Sequence, residues 1–265
     1  MMTNASPVRT PPPHRQRGVA LFVVLVFVML SMLLALWASR TSLFNELVVG
    51  NDADYQRAFE AAQALLQDAE LDIRGEYADG QPYPTSGYCS GDVCRKGTAP
   101  YEIPLEAKDV TTLLAKLESQ TPTRCAKGLC LKRTGRQDFW NATSSTALDT
   151  GEVNLAQMAV ADVGARYGQF TGASIVNTTA APSNPILANR SANTSGGWYW
   201  IEVLPYDESS ETSALVIDES GNAGNLLPLN LTPSVVYRIT ALAYGLKPST
   251  LVVLQETYAP QRLKD

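Results

Sequence analysis

The residues best equipped for chemistry are four cysteines, which come as two pairs of identical spacing: Cys89 and Cys94 around SGDV, Cys125 and Cys130 around AKGL. Four thiolates can hold zinc, but such sites usually carry their cysteines on arms with two intervening residues. Disulfides are the other use, and they need an oxidising compartment. Four cysteines permit three pairings. A glycine inside each spacer, Gly91 and Gly128, lets the backbone turn tightly enough for local bridges 89–94 and 125–130. Crossed bridges would tie two loops together and remove more unfolded-state entropy.

The remaining chemistry is sparse. The single histidine, His14, lies ahead of Gly18, so a chain cut after that glycine has none. Ser-His-Asp and Cys-His schemes then lack their base, and His-ligated metal sites lack their ligand. The stretch from Asp218 to Asn225 resembles an oxygen-rich calcium loop but lacks its alternating acids and closing glutamate, and reads as a solvated turn. These observations point away from an enzyme and imply no cofactor and no metal. The formal charge is −5; three arginines (Arg9, Arg15, Arg17) and no acid precede Val19, so a chain beginning there carries −8. With no basic run outside that leader, nucleic acid is a poor partner.

The elements that must position the cysteines begin with the N-terminus. From Val19 to Ser39 no residue is charged, and Arg40 closes the run. As a helix it spans ~31 Å, the thickness of a bilayer core. The arginines before it predict a cytoplasmic leader, and residues after Arg40 face outward, where disulfides persist. A cleaved secretory signal has a shorter apolar region and small residues at its cut site, which Leu36-Trp37-Ala38 does not supply. A plain signal anchor fits the hydropathy equally well. The third reading is a prepilin signal, cut between Gly18 and Val19 with the apolar run retained.

Past Arg40 the pattern becomes amphipathic. Phe44, Leu47, Val48, Tyr55, Phe59, Ala62, Leu66, Ala69 and Ile73 recur at three- and four-residue steps, with Asp54, Asp68 and Asp72 among the residues of a polar face. No proline occurs between Pro13 and Pro82, so one helix runs from about Val19 to Arg74 and ends at Gly75. The organisation is a leader (1–18), a membrane half (19–39) and an amphipathic half (40–74) of one helix, then an extracytoplasmic domain (75–265). In that domain the first cysteine pair sits in a Gly/Pro-rich loop, residues 106–119 suggest a short helix, and 139–197 suggest strands and long loops. Trp198–Tyr206, Val235–Tyr244 and Leu251–Tyr258 alternate as strands, the last two forming a hairpin about Gly245–Ser249. The fold class is α+β: a long N-terminal helix packed on a C-terminal antiparallel sheet.

The basic leader ending in glycine, the long helix, the cysteine loops and the C-terminal sheet together resemble a type IV pilin. NELVVGNDADYQRAFEAAQALLQDAE is similar to the N-terminal signature of the PilX family of minor pilins, in which a glycine-asparagine pair precedes A-F-x-A-A. CAKGLC, WYWIE and YRITA followed by VVLQETY also look like that family. The resemblance implies a prepilin peptidase that cuts after Gly18 and methylates Val19. It implies storage in the bacterial inner membrane with a periplasmic domain, then residence in a surface pilus. The implied partners are other minor pilins, the major pilin and a large tip adhesin, in adhesion and twitching motility. Major pilins place a glutamate at the fifth mature position; here it is Val23, which points to priming or capping at the pilus tip. The tip pseudopilin of a type II secretion system and a signal-anchored binding domain are the alternatives.

Overall fold

The computed structural model describes residues 17–82, 95, 103, 107–133, 135–142, 152–173, 184–205 and 235–260. The chain divides into two compact units, Met1–Asp52 and Ala53–Asp265. Helix α1 (Arg17–Arg74) supplies the described part of the first and opens the second. It continues through Gly50 and Asn51, the weakest helix formers in its path. Its end is set by Gly75, whose φ of +70° is open to glycine at little cost. The Glu76 N–H donates to the Leu71 carbonyl at 2.9 Å and the Gly75 N–H to the Asp72 carbonyl at 3.2 Å, satisfying two carbonyls that the last turn leaves over.

In the second unit, α1 buries Asp54, Ala58, Ala61, Ala62, Leu65, Asp68, Ala69, Asp72 and Ile73. Ala62, Ala69 and Ile73 of the expected stripe are buried, and the stripe as a whole is rotated from the expected one by about 70°. Tyr55 is exposed, Phe59 and Leu66 are half-buried, and the three aspartates assigned to the polar face point inward. Alanines win because they let the helix backbone approach the sheet closely. The aspartates can follow because each meets hydrogen-bond donors. Asp54 accepts from the Leu246 and Lys247 N–H groups at 2.8 and 3.0 Å, fixing the β-hairpin turn against α1.

The sheet has five strands in the order β1 (Cys125–Ala126), β2 (Leu129–Leu131), β3 (Gly197–Pro205), β4 (Val235–Tyr244) and β5 (Leu251–Tyr258). All neighbours are antiparallel except β2 and β3, where Leu129 lies opposite Ile201 in a parallel pair. The second cysteine loop is thus a strand hairpin that extends the sheet. Helix α2 (Ala107–Glu118) buries Val110, Leu113 and Leu117 on one side.

The half-buried strand expected at 198–206 is instead buried on both faces from Gly197 to Val203. Tyr199, Ile201 and Val203 share a core with Ala58, Ala62 and Leu65 of α1. Trp198, Trp200 and Leu242 join a second core with Phe139, Val153 and Met158. That cover comes from the middle of the chain: a 3₁₀ turn over Phe139–Asn141, α3 (Leu155–Met158) and the turns after it. Among its described residues the middle region before β3 has no strand beyond a single bridge of Ala165 to Tyr199. A further short helix, α4 (Pro185–Ala188), adds Ile186 and Leu187 to the first core.

Candidate functional site

The first unit is defined by what it leaves bare. Every residue from Val19 to Val49 is exposed, and α1 is long and apolar enough to cross a membrane. Gly18 and Val19 lie in the first turn of α1, with Val19 68% exposed; Val23, at 42%, lies one turn on. Two hydroxyls of this stretch are satisfied within the helix itself. The Ser31 hydroxyl donates to the Phe27 carbonyl at 2.8 Å and the Thr41 hydroxyl to the Trp37 carbonyl at 3.0 Å, bonds that suit a medium without water.

In the second unit Cys125 and Cys130 are joined by a disulfide and face each other as the paired residues of β1 and β2. The turn between them needs Gly128, whose φ is +80° and where a Cβ would stand 2.6 Å from that of Ala165. Gly128 donates to the Val163 carbonyl and accepts from the Ile201 N–H, so the hairpin is held on both sides. Cys89 and Cys94 lie outside the described residues, as does Asp218–Asn225. Arg95, which follows Cys94 directly, is described and is buried. Its guanidinium donates to both oxygens of Asp72 at 2.7–2.9 Å and stacks 3.8 Å over Phe170. The Tyr199 hydroxyl donates to the same carboxylate at 3.0 Å. One turn away Asp68 accepts from the Gly168 N–H at 2.7 Å and from the Thr171 hydroxyl. Burial pushes the Asp68 carboxyl up to about 6 against the pull of these donors. The same burial, beside Asp72, holds the Tyr199 phenol well above its usual range. The cluster therefore fastens two loops to α1. Among the described residues no group of three or more His, Cys, Asp or Glu is placed to bind a metal ion.

On the far face, Glu202 of β3 is 3% exposed and is shared by two arginines, Arg133 at 3.4 Å and Arg238. Arg133 also lies 4.1 Å over the Phe139 ring. This arrangement reveals what the charge pattern concealed. Arg124, Lys127, Lys132, Arg133 and Arg136 fall within 124–136 with no acid among them. They lie on both sides of the cysteines, so no run longer than Lys132-Arg133 signals them; the hairpin brings them together. Counting charge over the spacing of the CAKGLC motif, instead of along consecutive residues, would have found them.

A single long helix that is apolar and bare in its first unit, and laid in the second against an antiparallel sheet stapled by a disulfide, defines a pilin-like protein. Two family models match the chain: PilX N-terminal over residues 17–67, and type IV pilus assembly protein PilX, C-terminal, over residues 126–260. The chain belongs to the PilX family of type IV pilus proteins. No curated protein and no solved structure shows a significant match. The family's A-F-x-A-A now has a physical meaning, since Ala58, Ala61 and Ala62 are fully buried where α1 meets the core. Membership makes the chain a minor pilin, a structural component of the pilus that associates with other pilus components.

Proposed function

We propose that this minor pilin acts at or near the pilus tip, in the complex that primes or caps assembly, and so supports adhesion and twitching motility. The observation that carries the reading is Val23 in the exposed apolar part of α1. A carboxylate there costs several kcal/mol in the membrane unless paired. In major pilins the glutamate at this position is thought to pair with the terminal amine of the subunit above. A subunit with valine needs no neighbour above it. Before assembly the apolar run is stored in the inner membrane with the leader in the cytoplasm and residues 75–265 in the periplasm. A prepilin peptidase cuts between Gly18 and Val19. The partners are other minor pilins, the major pilin and a large tip adhesin, and the chain is not an enzyme.

Two measurements test this. Mass spectrometry of the purified protein is expected to show a chain beginning at N-methylated Val19; an intact Met1 overturns the processing. Immunogold labelling is expected at pilus ends, with Val23→Glu moving label into the shaft. Wild-type label along the shaft, together with unchanged assembly by Val23→Glu, overturns the tip position.

A further inference from the structure

The cations of residues 124–136 are not all neutralised. Lys127 pairs with Asp162 at 3.6 Å and Arg136 with Asp138 at 2.7 Å. Arg133 and Arg238 share the one carboxylate of Glu202, so that buried network holds one positive charge in surplus. Among the described residues neither Arg124 nor Lys132 has an anionic partner. Arg124, Lys132, Arg133 and Arg136 line one cleft beside the disulfide hairpin, with Val153 among its apolar lining and Glu152 as its one acid among the described residues. Nη1 of Arg133 is buried and has no hydrogen-bond partner. Burial and the neighbouring Arg238 hold the Arg133 guanidinium down at about 10, despite the opposing pull of Glu202.

The cleft is rigid. The Leu131 N–H donates to the Arg124 carbonyl at 2.9 Å, the Arg133 N–H to Glu202 at 3.2 Å, and Gln137 bonds the carbonyls of Arg133 and Gly135 at 3.2 and 2.8 Å. Arginine forks match the two oxygens of a carboxylate. The positive cleft also stands out on a chain of formal charge −5. On a chain that repels acidic partners overall, a local basic cleft fixes where and how such a partner can dock.

We propose that this cleft is a docking site for an acidic segment of a partner protein, with a side-chain carboxylate seated between Arg124, Lys132 and Arg133. The site goes beyond the tip assignment and does not depend on where in the filament the subunit stands.

The test uses full-length protein in a neutral detergent and a fluorescein-labelled hexaglutamate peptide, read by anisotropy at low ionic strength. The paired reversal Arg124→Glu with Lys132→Glu changes two groups that hold no ion pair among the described residues, and thermal unfolding checks that it stays folded. Lys116→Glu on α2 with Arg57→Glu on α1 is the control of equal net charge. The expected result is binding by the wild type that weakens as salt rises. It falls at least tenfold in the cleft variant and less than threefold in the control. Absence of hexaglutamate binding overturns the proposal, as does equal loss in both variants. Inorganic phosphate or a six-nucleotide single strand competing better than unlabelled hexaglutamate also overturns it, because the cleft would then serve another anion.

Discussion

Three aspartates on one helix show how much a single carboxylate can organise when its donors come from distant loops. Asp72 is buried under a bidentate arginine and a tyrosine hydroxyl, so removing Arg95 would strand a charge in the core, a loss that typically costs about 3–5 kcal/mol. Asp68 is different because it has hydrogen-bond donors but no cation within ion-pair distance among the described residues. Its carboxyl sits at about 6 in the fold against 3.8 for an ordinary aspartate. Between those values the folded chain binds the extra proton. Its stabilising share is therefore present below about pH 4 and is lost as pH rises through 6. Above that, ionisation costs up to about 3 kcal/mol. Asp68→Asn keeps both contacts, since the amide oxygen can accept from Gly168 and the amide nitrogen can donate to the Thr171 hydroxyl. We expect the substitution to raise stability by about 1–3 kcal/mol at pH 7.5 and by little at pH 4, read by urea unfolding at both. Glu256, pushed to about 7 by burial and Glu70, titrates with the same sign in both proteins and cancels in the comparison. An equal gain at both pH values would show that the carboxylate is not what limits this part of the core.

The elements differ in how far their own residues specify them. β4 and β5 were readable to the residue, because each is an unbroken run of eight or more residues rich in β-branched and aromatic side chains and a short turn joins them. β1 and β2 were not, because strands of two and three residues carry no period, and only pairing with β3 makes them strands. The face of α1 was misread for a related reason. Periodicity favours large apolar side chains, whereas the sheet selects alanines and three aspartates whose partners lie up to 193 residues away. Local bridging of Cys125 to Cys130 could be anticipated from Gly128, but its incorporation into the sheet could not. This predicts how the bridge contributes. Closing a six-residue loop restricts the unfolded chain modestly, by about 2 kcal/mol. The hairpin is meanwhile held by the Lys127 and Gly128 N–H groups on the carbonyls of Asp162 and Val163 at 2.6 and 2.9 Å. Cys125→Ala with Cys130→Ala should cost about 2 kcal/mol in urea and leave a cooperative transition. Loss of cooperativity would mean that the bridge, and not the backbone ladder, holds this edge of the sheet.

At the scale of the whole chain, two units follow opposite surface rules. The first exposes every residue from Val19 to Val49, mostly large apolar side chains, which is tolerable only in lipid or against other helices. The second has a core on each face of its sheet, one closed by α1 and one by the middle of the chain. The two kinds of surface were legible at once, since an uncharged run and an amphipathic run look different in composition alone. The second core was not, because its cover is built from turns whose residues show no pattern until Trp198 and Trp200 are placed. The division makes a direct prediction. A chain comprising Ala53–Asp265 carries both cores and should purify without detergent as a monomer, with one cooperative urea transition by tryptophan fluorescence. The full chain should need detergent to stay dispersed. The tryptophans suit the measurement, because Trp198 and Trp200 are about 1–2% exposed and Trp198 lies 3.6 Å under the guanidinium of Arg166. Opening the second core therefore changes their emission. Aggregation of the shorter chain, or a gradual loss of signal in place of a transition, would show that residues before Ala53 are needed to complete the fold.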